Sequence, residues 1–248
     1  MTAWLPEAVS PGLFWALNAL SLVSSFITAG FGLGGGALLL AAMATLVPPA
    51  ALIPVHGVVQ LGSNAGRAGI FLSAVHWPAL PGFALGSLAG AGAGGLVALQ
   101  LPPAAVEIGV GAFVIWSVLA TAPRWLSALP VVTGALSSFL TMFFGATGLF
   151  VAAYSRSIGL PRHGFVATHA ALMTVQHGLK VAVFGLLGFA FADWGGVILG
   201  MIVAGGIGTV LGKALLDRTS DRRFRLVLDT LLILISLRLI WSGLSSLA

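Results

Sequence analysis

Apolar segments of about 20 residues follow one another along nearly the whole chain, and that pattern leaves few folds open. A segment of this length can cross the hydrocarbon core of a bilayer. Only 7% of the residues are charged and 58% are hydrophobic, whereas an ordinary soluble domain is about 25% charged. A soluble fold of this size cannot hide so much apolar surface, because much of any globule's surface faces water. The chain is expected to be an all-α, polytopic membrane protein, a single membrane domain over residues 1–248.

Basic residues outnumber acidic ones, 11 to 6. They sit mostly between the apolar segments, where they act as topology signals, and no basic run interleaved with aromatics points to nucleic acid. The absence of cysteine excludes disulfides, thiol catalysis and Cys-ligated metals. The opening stretch "MTAWLPEAVSP" holds an acid and two prolines but no basic side chain. That is a poor signal-peptide start, so the first apolar segment is expected to be retained.

The chain also repeats itself. Shifted by 113 residues, Ser24-Ser25-Phe26 falls on Ser137-Ser138-Phe139, Thr28 on Thr141 and Phe31-Gly32 on Phe144-Gly145. At the same offset Gly35 meets Gly148, Pro48 meets Pro161, His56 meets His169 and Arg67 meets Lys180. A shift of 114 pairs Gly82 with Gly196, Gly86 with Gly200, Gly94 with Gly208 and Glu107 with Asp221. Glycine matches alone are weak in so glycine-rich a chain, but a matched histidine and a matched cation are not. Two homologous helical halves follow, 12–121 and 129–246, joined near "TAPRWLSALP".

Each half reads as five segments, about 12–31, 36–47, 50–72, 78–100 and 103–121, then 129–145, 148–158, 162–190, 194–214 and 223–246. Prolines mark the joints. The fourth segment carries Gly82, Gly86, Gly90 and Gly94, and its counterpart Gly196, Gly200, Gly208 and Gly212. That spacing gives a smooth face for close helix packing in lipid. The loop 213–225 holds Lys213, Arg218, Arg222, Arg223 and Arg225, so it is expected on the cytoplasmic side, whereas its first-half equivalent holds Glu107 and no Lys or Arg. Corresponding loops then face opposite sides, which makes the halves inverted repeats with an odd number of crossings each. Arg124, Arg156 and Arg162 fall on the cytoplasmic side under this arrangement. The tryptophans Trp4, Trp77, Trp125 and Trp194, with His76, are expected at the membrane interfaces.

Inside this apolar frame lies "GFGLGGG", Gly30 to Gly36. As a dinucleotide fingerprint it fails, because it lacks a soluble strand before it and an acid about 20 residues after it. As a packing stripe it fails on geometry, since Gly30, Gly32, Gly34, Gly35 and Gly36 do not share one helical face. A helix break at membrane depth fits better: a broken or re-entrant segment whose irregular backbone is buried by protein or lined by water. The helix restarting near Gly36 offers free N–H groups and a positive dipole end, which suits an anion. The second half has "FFGATGLF" there, with Thr147 in place of Gly34 and Gly148 in place of Gly35.

Downstream of each break runs a row of polar residues. His56, Gln60, Asn64 and Arg67 stand at i, i+4, i+8 and i+11; His169, Gln176, His177 and Lys180 stand at i, i+7, i+8 and i+11. Both spacings hold one helical face. Charge near a bilayer centre costs roughly 2.5–3.5 kcal/mol, so such residues face a cavity or a partner. The bland reading is that the histidines bridge helices and Arg67 snorkels. Lys180, well inside its segment with no acid nearby in sequence, speaks against it. The acids Glu7, Glu107, Asp193, Asp217 and Asp221 lie in or beside loops, while Asp229 lies within the last helix, with Arg225 four residues back as its expected partner and Arg238 as the alternative. Cations in the middle and carboxylates at the edges describe an anion pathway. A zinc site on His56, His169 and His177 competes, but Arg67 and Lys180 beside it would repel a divalent cation. No Ser/His/acid set or His-Glu motif suggests hydrolysis, and no cofactor is implied.

"GFGLGGGALLL", a Pro-bearing joint and a polar membrane helix, each occurring twice, resemble the TauE/SafE family of sulfite exporters over about residues 20–246. The family's Gly-rich motif maps to Gly32, Gly34, Gly35 and Gly36; in the second copy Gly145 and Gly148 remain. The resemblance implies a multi-pass carrier of the bacterial inner membrane for sulfite, an organosulfonate or a small carboxylate. The expected substrate site is Gly34, Gly35, Gly36, His56, Gln60, Asn64, Arg67, Thr147, Gly148, His169, Gln176, His177 and Lys180. Histidine titrates near neutral pH, so the three histidines are candidates for coupling to protons. A passive anion channel and a non-transporting membrane assembly factor are the alternatives.

Overall fold

The computed structural model describes residues 5–32, 34–98, 102–120, 129–145, 147–216 and 222–247. Among them the regular structure is entirely helical: α1 (Pro11–Phe31), α2 (Gly35–Ala44), α3 (Pro49–Ile70), α4 (Leu80–Ala98), α5 (Pro103–Leu119), α6 (Pro130–Phe144), α7 (Gly148–Ser157), α8 (Arg162–Leu186), α9 (Gly195–Leu216) and α10 (Arg222–Ser245), with short 3-10 turns between some of them. Proline opens α1, α3, α5 and α6. Its fixed φ suits the first helical turn, where its missing N–H would have had no partner.

Many polar side chains are buried alongside the apolar core, and large apolar side chains cover the outside. Buried side chains include Ser21, Ser25, His56, Asn64, Arg67, Thr141, Gln176, His177 and Lys180, while Leu85, Leu96, Leu199, Val203 and Leu226 point outward. Water would penalise that surface, whereas lipid tails accept it. Among the described residues four helical stretches are long and apolar enough to cross a membrane: Pro11–Phe31, Trp77–Val97, Phe191–Ala214 and Leu228–Ser245. Helices α3 and α8, of 22 and 25 residues, have the length but carry the polar rows.

The helices pair closely: α1 along α9, α6 along α4, α5 along α10 and α3 along α8. The four-spaced glycines make two of these pairings possible. A Cβ on Gly90 would lie 2.9 Å from the Ala135 Cα of α6, and one on Gly208 would lie 2.9 Å from the Leu22 carbonyl carbon of α1. Real Cβ atoms essentially never come so near, so only bare backbone permits the approach. Helices α3 and α8 run antiparallel. Ala68 and Phe71 near the end of α3 cluster with Val166, Ala167 and Ala170 near the start of α8, and Gly57 of α3 lies against Lys180 and Val181 further along α8.

Helix α1 stops at Phe31 and α2 starts at Gly35. Between them Gly32 and Gly34 adopt φ of 87° and 100°, a region closed to ordinary L residues. The chain reverses there, because Gly35 lies against the Ser24 carbonyl, a full turn and more back along α1. Helix α6 ends likewise at Gly145, φ 68°, before α7. Helices α2 and α7 have 10 residues each, about 15 Å at 1.5 Å per residue, half of a hydrocarbon core of about 30 Å.

Trp77 is exposed, whereas Trp194, near the start of the apolar stretch Phe191–Ala214, is 8% exposed and packs in the main core cluster beside α9. Trp4, Arg124, Trp125, Asp217, Arg218 and Asp221 lie outside the described residues, as do the side chains of Arg222, Arg223 and Arg225.

Candidate functional site: a cation-lined cavity between the broken helices

A cavity of about 410 Å³ lies where the two broken regions meet α3 and α8. Gly34, Gly36 and Ala37 line it from the start of α2, and Gly145, Gly148 and Leu149 from the start of α7. No side chain caps either helix. The first-turn N–H groups of an α-helix have no partner within the helix, so two positive helix ends share one space. Gln60, Asn64 and Arg67 contribute from α3, and His169, Met173 and His177 from α8.

Arg67 is the best-fixed charge in this space. It is 2% exposed, so it does not snorkel. Its Nη1 donates to Asn64 Oδ1 at 3.1 Å and its Nη2 to Ser63 Oγ at 3.1 Å, and Ser63 meets Ser25 Oγ of α1 at 3.0 Å. Asn64 is itself held by its Nδ2 donating to the Gln60 carbonyl at 2.8 Å. The Arg67 Nε is buried and unpartnered. Side-chain oxygens thus orient the guanidinium while leaving donor capacity toward the cavity.

Of the thirteen residues singled out in the sequence, Gly34, Gly36, Gln60, Asn64, Arg67, Gly148, His169 and His177 line this cavity, whereas Gly35, His56, Thr147, Gln176 and Lys180 do not. Each of the five is engaged elsewhere. Gly35 lies against the α1 backbone at Ser24. Gln176 Nε2 donates to Thr147 Oγ1. His56 Nε2 sits 3.2 Å from the Gly36 carbonyl, with its ring edge-on to His177 at 6.1 Å between centroids. Lys180 is fully buried along Gly57, and its Nζ donates to Thr141 Oγ1 at 3.5 Å.

The sequence missed four polar contributors, one of them Ser117 of α5. Arg156, read as a topology charge, lines the cavity from the last turn of α7, with its guanidinium 5.8 Å from the Phe165 ring. Both Arg67 and Arg156 lie near enough to His169 to act on it electrostatically. Thr28 lines the cavity; its match with Thr141 in the repeat was the available signal. Asp229, the acid that the sequence already placed within the last helix, also lines it. An acid four residues after Arg225 looks like a pair along one helix, and nothing local in sequence reveals that the same turn of α10 faces a cavity. Among the described residues, the cations Arg67 and Arg156 outnumber the acid Asp229 there. Among the described residues no group of three His, Cys, Asp or Glu side chains is placed to hold a metal ion.

The sequence matches the model of the family described as Sulfite exporter TauE/SafE over residues 17–239, nine-tenths of the chain. The chain belongs to the TauE/SafE family. Searches of curated proteins and of solved structures find no match. The TauE/SafE assignment makes this a membrane transport protein, and the matched range takes in both broken regions, both polar helices and every residue that lines the cavity.

Proposed function

We propose that the protein is a secondary carrier for a small oxyanion, sulfite or an organosulfonate, across a bacterial inner membrane, and that the 410 Å³ cavity is its substrate site. The observation that carries this reading is Arg67: a guanidinium buried among apolar helices, held by Asn64 and Ser63, beside two uncapped helix starts. Burial of a charge costs several kcal/mol unless a partner compensates it, and a bound oxyanion is such a partner. A planar guanidinium matches the oxygens of a sulfite or sulfonate group in two parallel hydrogen bonds. The family name supports the sulfur oxyanion over other anions.

In this reading the two halves are inverted repeats and the segments α1–α2 and α6–α7 are re-entrant hairpins. The matched pairings α1 with α9 and α6 with α4, the antiparallel α3 and α8, and the half-membrane length of α2 and α7 support it. Alternating access then comes from rocking one half against the other. His169 and His177 at the cavity, with His56 beside them, are the candidates for proton coupling.

The test is flux of radiolabelled sulfite, and separately of sulfoacetate, into proteoliposomes. Saturable uptake that falls to background in Arg67→Gln is expected. Uptake that never saturates, or that Arg67→Gln leaves intact, overturns the proposal.

A further inference from the structure

Lys180 is the counterpart of Arg67 in the repeat, yet only Arg67 opens onto the cavity. The surroundings of the two cations correspond position by position. Thr28, equivalent to Thr141, lines the cavity with Arg67; Thr141 accepts a hydrogen bond from Lys180 in a region the cavity does not reach. Gly34, equivalent to Thr147, is open to the cavity; Thr147 is closed over by Gln176. The buried polar atoms around Lys180 are poorly satisfied among the described residues. Both ring nitrogens of His177, His56 Nδ1 and, one turn back along α8, Gln176 Oε1 have no hydrogen-bond partner, and both histidines lie near enough to Lys180 to interact with it electrostatically. Buried polar groups in folded proteins are nearly always paired, so a cluster of unpaired ones around a buried lysine marks a place built for something absent.

The two regions also lie toward opposite ends of the helix pair. Arg67 stands three residues before the end of α3, on the side where Arg156 ends α7. Lys180 stands six residues before the end of α8, alongside Gly57, which is ten residues before Arg67 on α3. Basic residues collect on the cytoplasmic side, so the Arg67 cavity faces the cytoplasm and the Lys180 cluster faces outward.

Resting on the carrier reading above, we infer that Lys180 and Thr141 form a second oxyanion station, the outward-facing counterpart of Arg67 and Thr28, which the cavity does not reach in this conformation. The anion passes between the stations along His177, which touches both regions.

The natural absence of cysteine makes the test direct. Thr28→Cys and Thr141→Cys are each expressed alone and treated, in right-side-out and inside-out vesicles, with membrane-impermeant methanethiosulfonates bearing either a sulfonate or a quaternary ammonium. Thr28→Cys should react from the cytoplasmic face and Thr141→Cys from the outer face, the latter at least about tenfold more slowly because its state is the minor one. Thr141→Cys should also prefer the sulfonate reagent, and adding Lys180→Gln should cut that preference about tenfold by removing the nearby charge. Labelling of Thr141→Cys from the cytoplasmic face overturns the inference. So does a thiol unreactive from both faces that reacts once the protein is unfolded in detergent, or a reagent preference indifferent to Lys180→Gln. Labelling needs no transported substrate, so a failed flux assay with sided labelling intact would sink the carrier reading and leave the sidedness standing.

Discussion

Gly35 and Gly36 are adjacent in one glycine cluster, and the structure gives them opposite sensitivities. A Cβ on Gly35 would lie 2.7 Å from the Ser24 carbonyl carbon and nearer still to its oxygen, while ordinary contact begins at 3.4 Å. The carbon alone must retreat by 0.7 Å, the difference of those values, and it belongs to the backbone of α1, which is itself packed along α9. Overpacking of this kind costs about 3 kcal/mol or more when backbone has to shift. Alanine's helix propensity returns about 1 kcal/mol, leaving a net loss of about 2 kcal/mol. For a chain of this size that corresponds to a Tm lower by about 4–8 °C. A Cβ on Gly36 meets only the Gln60 amide nitrogen closely, with the Gln60 Cδ at an ordinary 3.5 Å. That amide is the free end of a flexible side chain and can rotate away into the cavity. Gly36→Ala should therefore melt within about 1 °C or above the parent, since about 1 kcal/mol of propensity is gained, yet transport poorly because Gln60 is displaced. Thermal unfolding of the purified protein, followed by size-exclusion recovery, reads the first effect and flux the second. If Gly35→Ala melts with the parent, or Gly36→Ala is the less stable of the two, the division between a packing glycine and a cavity glycine is wrong.

Gly90→Ala should separate α4 from α6, since its Cβ would meet Ala135 backbone atoms at 2.7 and 2.9 Å; a loss of about 2–3 kcal/mol is expected in the same unfolding assay, and an unchanged Tm would contradict the packing. Leu199→Arg places a charge on a surface that is 65% exposed in the protein and faces lipid in this account. Membrane insertion should fall, by about 3 kcal/mol near the bilayer centre, as read by the inserted fraction in a glycosylation-reporter assay; full insertion would argue against a lipid-facing α9. Asp229→Asn removes a carboxylate that lines the cavity and should tighten anion binding several-fold by lowering the negative charge in the space that Arg67 and Arg156 line, measured by competition with labelled sulfite; weaker binding would mean that Asp229 organises the site.

The helical layout was legible because each signal for it is local. Prolines open α3 and α5 and precede α8 where the sequence placed joints, and the glycine cluster ends α1 at Phe31 because Gly32 and Gly34 take φ values that only glycine tolerates easily. The last polar helix ends at Leu186 rather than near 190, where Gly188 turns the chain with φ 88°. The site was legible only up to the helical face. His56, Gln60, Asn64 and Arg67 do share a face of α3, but residues eleven apart are about 16 Å apart along a helix. Sharing a face does not mean sharing a pocket. With α3 and α8 antiparallel, residues equivalent in the repeat move to opposite ends, which is why Arg67 reaches the cavity and Lys180 does not. Arg156 and Asp229 required tertiary information, because each had a sufficient local explanation as a loop charge or a pair along one helix.

Equilibrium binding of radiolabelled sulfite to the purified protein, compared with Arg67→Gln, reaches the central claim without depending on transport kinetics. Truncating one partner of a buried, hydrogen-bonded charge pair costs about 2–5 kcal/mol. The account therefore predicts saturable binding that weakens at least about 30-fold in the variant, with the fold intact by Tm, since every 1.4 kcal/mol is tenfold. Equal affinity in both proteins, or no saturable binding of sulfite or sulfoacetate to either, would contradict it.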